Sequence, residues 1–253
     1  MVRPKKYLGQ HFLTDKNIAA KIAGCLSGKY PVVCELGPGT GILTSSLLER
    51  NDISKLKLIE IDSESVDYLA THFKDERLEI VESDFLKYDL SNISTEPFAL
   101  IGNFPYNISS QIFFKALANR NLVPEIAGMI QKEVAERMTA SPGNKTYGIL
   151  SVLMQTWYNI EYCFTVNENV FFPPPKVKSA VIRMTRNSSI KLKCDEKRLI
   201  TVVKTAFNQR RKTMRNSLKS LLNDEIKPNP IFDQRPEQLS VQQFIELTNL
   251  ISQ

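Results

Sequence analysis

Strand-like and helix-like segments alternate through the first two-thirds of this 253-residue chain, which predicts an α/β fold with a mostly parallel sheet covered by helices. Two turns fix where that sheet would bind something. A glycine-rich turn, Glu35-Leu36-Gly37-Pro38-Gly39-Thr40-Gly41, follows the apolar run Val32-Val33-Cys34. A second, Asn103-Phe104-Pro105-Tyr106, follows Phe98–Ile101, with Gly102 expected to let the backbone turn.

The expected strands are Val32–Leu36, Leu56–Ile61, Leu78–Val81, Phe98–Ile101 and Ile126–Ile130. Between them, Ile42, Leu43, Leu47 and Leu48, and then Val66, Leu69, Ala70 and Phe73, recur at helical spacing. Gly148–Tyr158 is mostly apolar and reads as a buried helix. Tyr162–Val166 and Ala180–Met184 then flank the loop Phe171-Phe172-Pro173-Pro174-Pro175-Lys176. A late hairpin of this kind suits a seven-stranded sheet with an antiparallel edge.

Around Asn187-Ser188-Ser189 the pattern changes. Asp195 is placed to cap a helix running to about Asn208, and Lys212–Leu222 and Val241–Ile251 read as further helices separated by Pro228-Asn229-Pro230. The expected organisation is a catalytic domain over 1–187 and a small all-helical domain over 188–253.

Composition narrows the class. With 42% hydrophobic residues the chain can bury an ordinary core, and no apolar run approaches the ~20 residues of a membrane span. The N-terminus is basic but lacks the apolar stretch of a secretory signal. Four dispersed cysteines (Cys25, Cys34, Cys163, Cys194) and two histidines point to reduced thiols in the cytoplasm, with no metal site. The net charge of +6 is compatible with a polyanionic partner. Its distribution says more: six cations and no acid lie between Lys204 and Lys219, and Arg3, Lys5 and Lys6 open the chain. A monomer is expected.

The glycine turn lets backbone amides approach a ligand, and the following helix adds a positive dipole. Glu60, at the end of the second strand, lies about 20 residues beyond the glycines, the spacing at which a carboxylate accepts both hydroxyls of a ribose. Asp84 ends the third strand, where it can meet an adenine amino group. The leading acid Glu35 would repel a pyrophosphate but suits a sulfonium and an amino group. Three acids at successive strand ends therefore point to S-adenosylmethionine rather than NAD, and to a Rossmann-like class I methyltransferase sheet. The Asn-x-Pro-Tyr turn adds an amide oxygen, a proline-held carbonyl and a flat aromatic face, a set that suits the exocyclic amine of a purine.

The ordered motifs Gln10-His11-Phe12-Leu13, Glu35-Leu36-Gly37-Pro38-Gly39, Glu60-Ile61-Asp62, Asn103 to Ile108, Phe171 to Val177 and Ala206 to Lys212 span nearly the whole chain. Through them it resembles the bacterial small-subunit ribosomal RNA adenine dimethyltransferases, relatives of the Erm antibiotic-resistance enzymes. The resemblance implies dimethylation of two adjacent adenines in the 3′-terminal hairpin of 16S RNA, with the small ribosomal subunit as partner and a role in its biogenesis. It carries cofactor contacts to His11, Leu13, Gly37, Glu60, Asp84 and Asn103, to which Glu35 and Gly39 are added from the glycine turn. His11 stands where the family commonly has Asn, and Phe104 where it commonly has Leu.

Asn103 and the Pro105 carbonyl are expected to accept hydrogen bonds from the target amine, with Tyr106 stacked on one adenine face and Phe171 on the other. Core packing competes with stacking for Phe172; the motif match favours Phe171. Arg210, Arg211, Lys212 and Arg215 are expected to meet phosphates. The rival readings are an Erm-type enzyme acting on large-subunit RNA, a non-catalytic assembly factor, and a small-molecule methyltransferase. The last leaves the cationic C-terminal segment unexplained.

Overall fold

The computed structural model describes residues 2–188, 190 and 192–252, and the chain forms two compact units, 1–135 with 161–186 and 136–160 with 187–253. The second unit thus takes in 136–160, a stretch the sequence reading assigned to the first domain. The boundary residue Ser189 lies outside the described residues.

The first unit runs β1 (Phe12–Leu13), α1 (Lys16–Ala23), β2 (Val32–Leu36), α2 (Ile42–Leu48), β3 (Lys55–Glu60), α3 (Ser63–His72), β4 (Leu78–Glu82), β5 (Ala99–Asn103), α4 (Ser109–Ala118), β6 (Glu125–Gln131) and the start of α5 (Lys132–Thr139). It resumes within β7 (Tyr158–Val166) and continues through β8 (Phe171–Phe172) and β9 (Ser179–Arg186). Seven strands form one sheet in the order β4-β3-β2-β5-β6-β9-β7, while β1 and β8 pair as a separate antiparallel ribbon. β2 is parallel to both β3 and β5, and β6 is antiparallel to β9, so the expected mixed sheet is present. The interior strands are near-continuous apolar runs because helices cover both of their faces; Leu56, Leu58, Leu100 and Ile101 are fully buried. Asp15 opens α1 by accepting hydrogen bonds from the amides of Asn17 and Ile18, at 2.8 and 3.1 Å. Successive connections run to opposite sides of β2, so the carboxyl ends of β2 and β5 border a crevice at the switch point of the sheet.

Gly102 does something other than turn the chain. β5 continues through it to Asn103, and a Cβ there would lie 2.6 Å from the Leu36 carbonyl oxygen. Gly128, its partner on β6, is equally constrained: a Cβ would lie 2.4 Å from the Gly102 carbonyl oxygen and 2.8 Å from the Phe104 ring. Both glycines clear the space that Phe104 fills. Fully buried against Phe113 in an edge-on contact, Phe104 anchors the Asn103–Tyr106 turn, and burial of such a ring is worth about 1.5–3 kcal/mol.

The second unit contains α6 (Ile149–Trp157), α7 (Glu196–Asn208), α8 (Met214–Ser217) and α9 (Val241–Ile251). Asp195 caps α7 by accepting from the Arg198 amide at 2.7 Å, and Ser240 with Gln243 forms a capping box on α9. Phe207 of α7 stacks on Phe244 of α9 at 5.8 Å and meets Tyr147 edge-on at 6.3 Å. Because α6 is apolar around most of its circumference, it is buried against α7 and α9, which is why 136–160 folds with the C-terminal helices. The helix expected over Lys212–Leu222 is shorter. The Met214 amide bonds to the Gln234 carbonyl and Arg215 reaches Asp233, so α8 ends at Ser217 and a 3₁₀ turn follows.

Candidate active site

A cavity of about 710 Å³, open mouth included, lies at the carboxyl ends of β2 to β5. Leu36, Gly37 and Gly39 from the first turn, Glu60, Asp84, and Asn103 through Tyr106 all line it, together with Leu8 through Phe12 of the N-terminal segment. Most of the sequence-predicted site residues are therefore brought together.

Glu60 is buried and rigidly held. One carboxylate oxygen accepts from the amides of Ile61 and Asp62, at 2.9 and 3.0 Å, and the other accepts from the Gly39 amide at 3.1 Å. Burial pushes its pKa up while those amides pull it down; burial wins. Gly39 has φ +56, and a Cβ on it would lie 2.8 Å from the Phe12 ring. The turn can thus close over the pocket only with glycine there. Asp84 accepts from the Leu86 amide at 2.9 Å, with the Lys87 ammonium 3.7 Å away. Two carboxylates facing one cavity, with glycine backbone beside them, offer the acceptors that the ribose hydroxyls and adenine amino group of S-adenosylmethionine require.

The N-terminal segment closes one side through a latch the sequence did not reveal. Asp62 accepts hydrogen bonds from Lys5, from Gln10 (3.1 Å) and from Ser65 (3.0 Å). Burial pushes the Asp62 carboxyl up, but those three donors outweigh it and hold the carboxyl below its ordinary range. Lys5 is thereby spent on a structural ion pair.

The target side is organised by His11. Its backbone carbonyl accepts from the Asn103 side-chain nitrogen at 2.9 Å, which orients the amide and leaves the Asn103 oxygen uncommitted to that contact. The ring donates from Nδ1 to the Pro173 carbonyl at 2.7 Å and stacks on Tyr106 at 5.7 Å. Tyr106 is fixed again at its hydroxyl by Ser179, and burial raises its pKa despite that hydrogen bond. The Pro105 carbonyl receives only a long 3.3 Å bond from the Ile108 amide, so it keeps acceptor capacity. Neither the role of His11 as a hub nor that of Ser179 was legible: both depend on contacts across 73 to 162 residues of chain.

Four expected positions fall elsewhere. Phe171 is 4% exposed, packed in the core opposite Leu13 across the β1–β8 ribbon, and neither residue lines the cavity. Strand alternation turns Phe172 outward instead, 60% exposed. The assignment of Phe171 to adenine stacking is therefore corrected, and any cofactor contact by the Leu13 side chain is removed. Glu35 points beneath the glycine turn: it is buried, accepts from the Thr44 hydroxyl at 2.7 Å, and burial pushes its carboxyl up to about 8. It does not face the cavity. In the second unit Arg215 donates to Asp233 at 2.6 and 3.0 Å and to the Lys227 carbonyl, so it serves as a structural pin. Arg211 and Lys212 are exposed just beyond α7, and Arg210 contacts the Asn144 carbonyl at 3.4 Å.

The family model for ribosomal RNA adenine dimethylases matches residues 1–253. The chain belongs to the ribosomal RNA adenine dimethylase family. Among curated relatives of this dimethylase, the ribosomal RNA small subunit methyltransferase A of Parabacteroides distasonis is 59% identical, with 100% of this chain and 95% of the relative covered. The protein of the same name from Phocaeicola vulgatus is 56% identical, with 99% and 90% covered. Among solved structures, a dimethyladenosine transferase from Plasmodium falciparum is similar at TM-score 0.79 and 26% identity, covering 94% of this chain and 96% of that one. The 23S rRNA methyltransferase ErmE is similar at 0.70 and 25%, covering 96% and 100%. Family membership makes this an S-adenosylmethionine-dependent enzyme that methylates adenine in ribosomal RNA. Among the described residues no cluster of side chains could hold a metal ion, and no helix is long and apolar enough to cross a membrane.

Proposed function

We propose that this dimethylase modifies the N6 amines of two adjacent adenines in the 3′-terminal hairpin loop of 16S RNA, on the small ribosomal subunit in the cytoplasm. Support comes from relatives over 50% identical across nearly the full chain that are named for the small subunit, whereas the 23S enzyme is only 25% identical. The mechanism rests chiefly on the orientation of Asn103. With its nitrogen committed to the His11 carbonyl, its oxygen is the acceptor available to a target amine, and the Pro105 carbonyl is the second.

S-adenosylmethionine supplies an electrophilic methyl group, and Gly37, Gly39, Glu60 and Asp84 are the residues that would hold it. The protein supplies positioning. Two acceptors draw the N6 hydrogens into line, which localises a lone pair otherwise delocalised into the purine ring and aims it at the methyl carbon. The amine loses its proton only after transfer has made it acidic, so no strong base is required. Since His11 covers one face of the Tyr106 ring, the adenine stacks on the other, for about 1–3 kcal/mol. The helical unit contributes phosphate contacts through Arg210, Arg211 and Lys212, and the enzyme acts as a monomer.

Methyl transfer from labelled S-adenosylmethionine to unmethylated small subunits, with large-subunit RNA present and the products mapped, tests this reading. Dimethyladenosine at two neighbouring positions of the small-subunit hairpin is the expected result. Label confined to large-subunit RNA would overturn it, as would tight subunit binding without transfer.

A further inference from the structure

A second hollow, about 520 Å³ with its open mouth included, lies beside the methylation cavity and is lined by Pro4, Lys6, Gly9, Gln10, His11 and Pro173. Gly9, Gln10 and His11 line both spaces, so three consecutive residues form a shared wall. That wall is tied down on every side. Gln10 bridges the Asp62 carboxylate and the Lys5 amide, and the His11 ring is bonded to Pro173. At φ +67, Gly9 lies so close to Asn107 of the target turn that a Cβ would sit 2.9 Å from the Asn107 side-chain oxygen.

The chemistry of the hollow differs from that of its neighbour. It contains a cation and no acid. Lys5 is paired with Asp62, but no carboxylate among the described residues pairs with Lys6, whose side chain is exposed. Two prolines offer flat apolar surface. Two aromatic side chains flank the lining in sequence and stand exposed: Tyr7 (78%), between Lys6 and Leu8 of the methylation cavity, and Phe172 (60%), immediately before Pro173. A free cation in the lining, with exposed rings one residue away along the chain, is the combination that holds a phosphate and an unstacked base.

We propose that this hollow seats the nucleotide covalently next to the target adenine, its base against Pro173 and Phe172 and its phosphate on Lys6. The inference rests on the two-adenine reading above. When one adenine enters the methylation cavity, its neighbour is one phosphodiester away and has lost its stacking partner; the adjoining hollow receives it and fixes the register of the strand.

The test uses unmethylated small subunits rebuilt with a synthetic 3′ hairpin that carries either both adenines or one adenine beside an abasic nucleotide. In the parent enzyme the abasic neighbour is expected to raise KM for methylation of the remaining adenine about tenfold, with kcat within about twofold. In the Lys6→Gln, Phe172→Ala double variant, intact subunits already show that raised KM, and the abasic change adds less than about twofold. Unchanged S-adenosylmethionine affinity shows that the variant is folded. A parent enzyme indifferent to the abasic neighbour, or a variant that suffers the full additional loss, would overturn the subsite. A parent enzyme that leaves intact subunits unmethylated would instead overturn the substrate reading, and the subsite with it.

Discussion

The two halves of the active site are held by different means. On the cofactor side, Glu60 is held by the amides of Ile61 and Asp62 and by the Gly39 amide of the neighbouring turn, so backbone at adjacent strand ends builds most of that half. On the target side, Asn103, Tyr106, His11, Pro173 and Ser179 come from distant segments and hold one another mostly through side chains. The first half follows from a strand–turn–helix grammar common to many folds. The second depends on how four separate segments meet, and small changes there can retune the substrate while leaving the cofactor site intact.

Phe171 and Phe172 give the sharpest way to break that contrast. Phe171→Ala should cost about 3–5 kcal/mol of stability, read by denaturant unfolding, while the folded enzyme keeps kcat within a few fold. Phe172→Ala should change stability by no more than about 0.5 kcal/mol. A stable Phe171→Ala enzyme that cannot turn over would restore the stacking role that the structure removes.

Glu60→Gln comes next. It places an NH₂ where an acceptor now meets backbone amides, and should weaken S-adenosylmethionine binding by about 1–3 kcal/mol in calorimetry, while RNA affinity stays within about twofold.

Glu35 sharpens the cofactor half through pH. Its carboxyl has an ordinary value near 4.5 and is pushed up to about 8 by burial, so the folded state binds the proton more tightly than the unfolded chain. The resulting stability is fully present below about 4.5 and is lost as pH rises towards about 8. Melting temperatures measured across that window should therefore fall less steeply for Glu35→Gln than for the parent.

The smallest expected effects lie in the helical unit. Arg211→Ala should reduce the salt slope of RNA binding by about one with little change in stability, whereas Arg215→Ala should lower the melting temperature by breaking its contacts to Asp233 and Lys227. Equal salt-slope changes would return Arg215 to the phosphate-contact set.

The same contrast explains what was legible in the sequence. β2 and α9 fall on their expected bounds, and Asp195 caps α7 as read, because hydrophobic period and capping chemistry are local signals. That Glu60 and Asp84, at and just beyond the ends of β3 and β4, would face one cavity was legible for the same reason. Which of two adjacent phenylalanines faces the core was not, because the β1–β8 pairing decides it. Glu35 and Arg215 resembled ligand contacts in sequence, and only the partners they find in space show otherwise: Glu35 is buried on Thr44, and Arg215 is engaged by Asp233 at the surface. The grouping of 136–160 with the C-terminal helices depends on the apolar surface of α6 finding α7 and α9.

Single-turnover methyl transfer by Asn103→Ala, on pre-bound small subunits at saturating S-adenosylmethionine, tests most directly whether the oriented amide drives the reaction. The rate should fall by at least about 100-fold while both dissociation constants stay within about twofold. Transfer near the parent rate would contradict the mechanism proposed for this site.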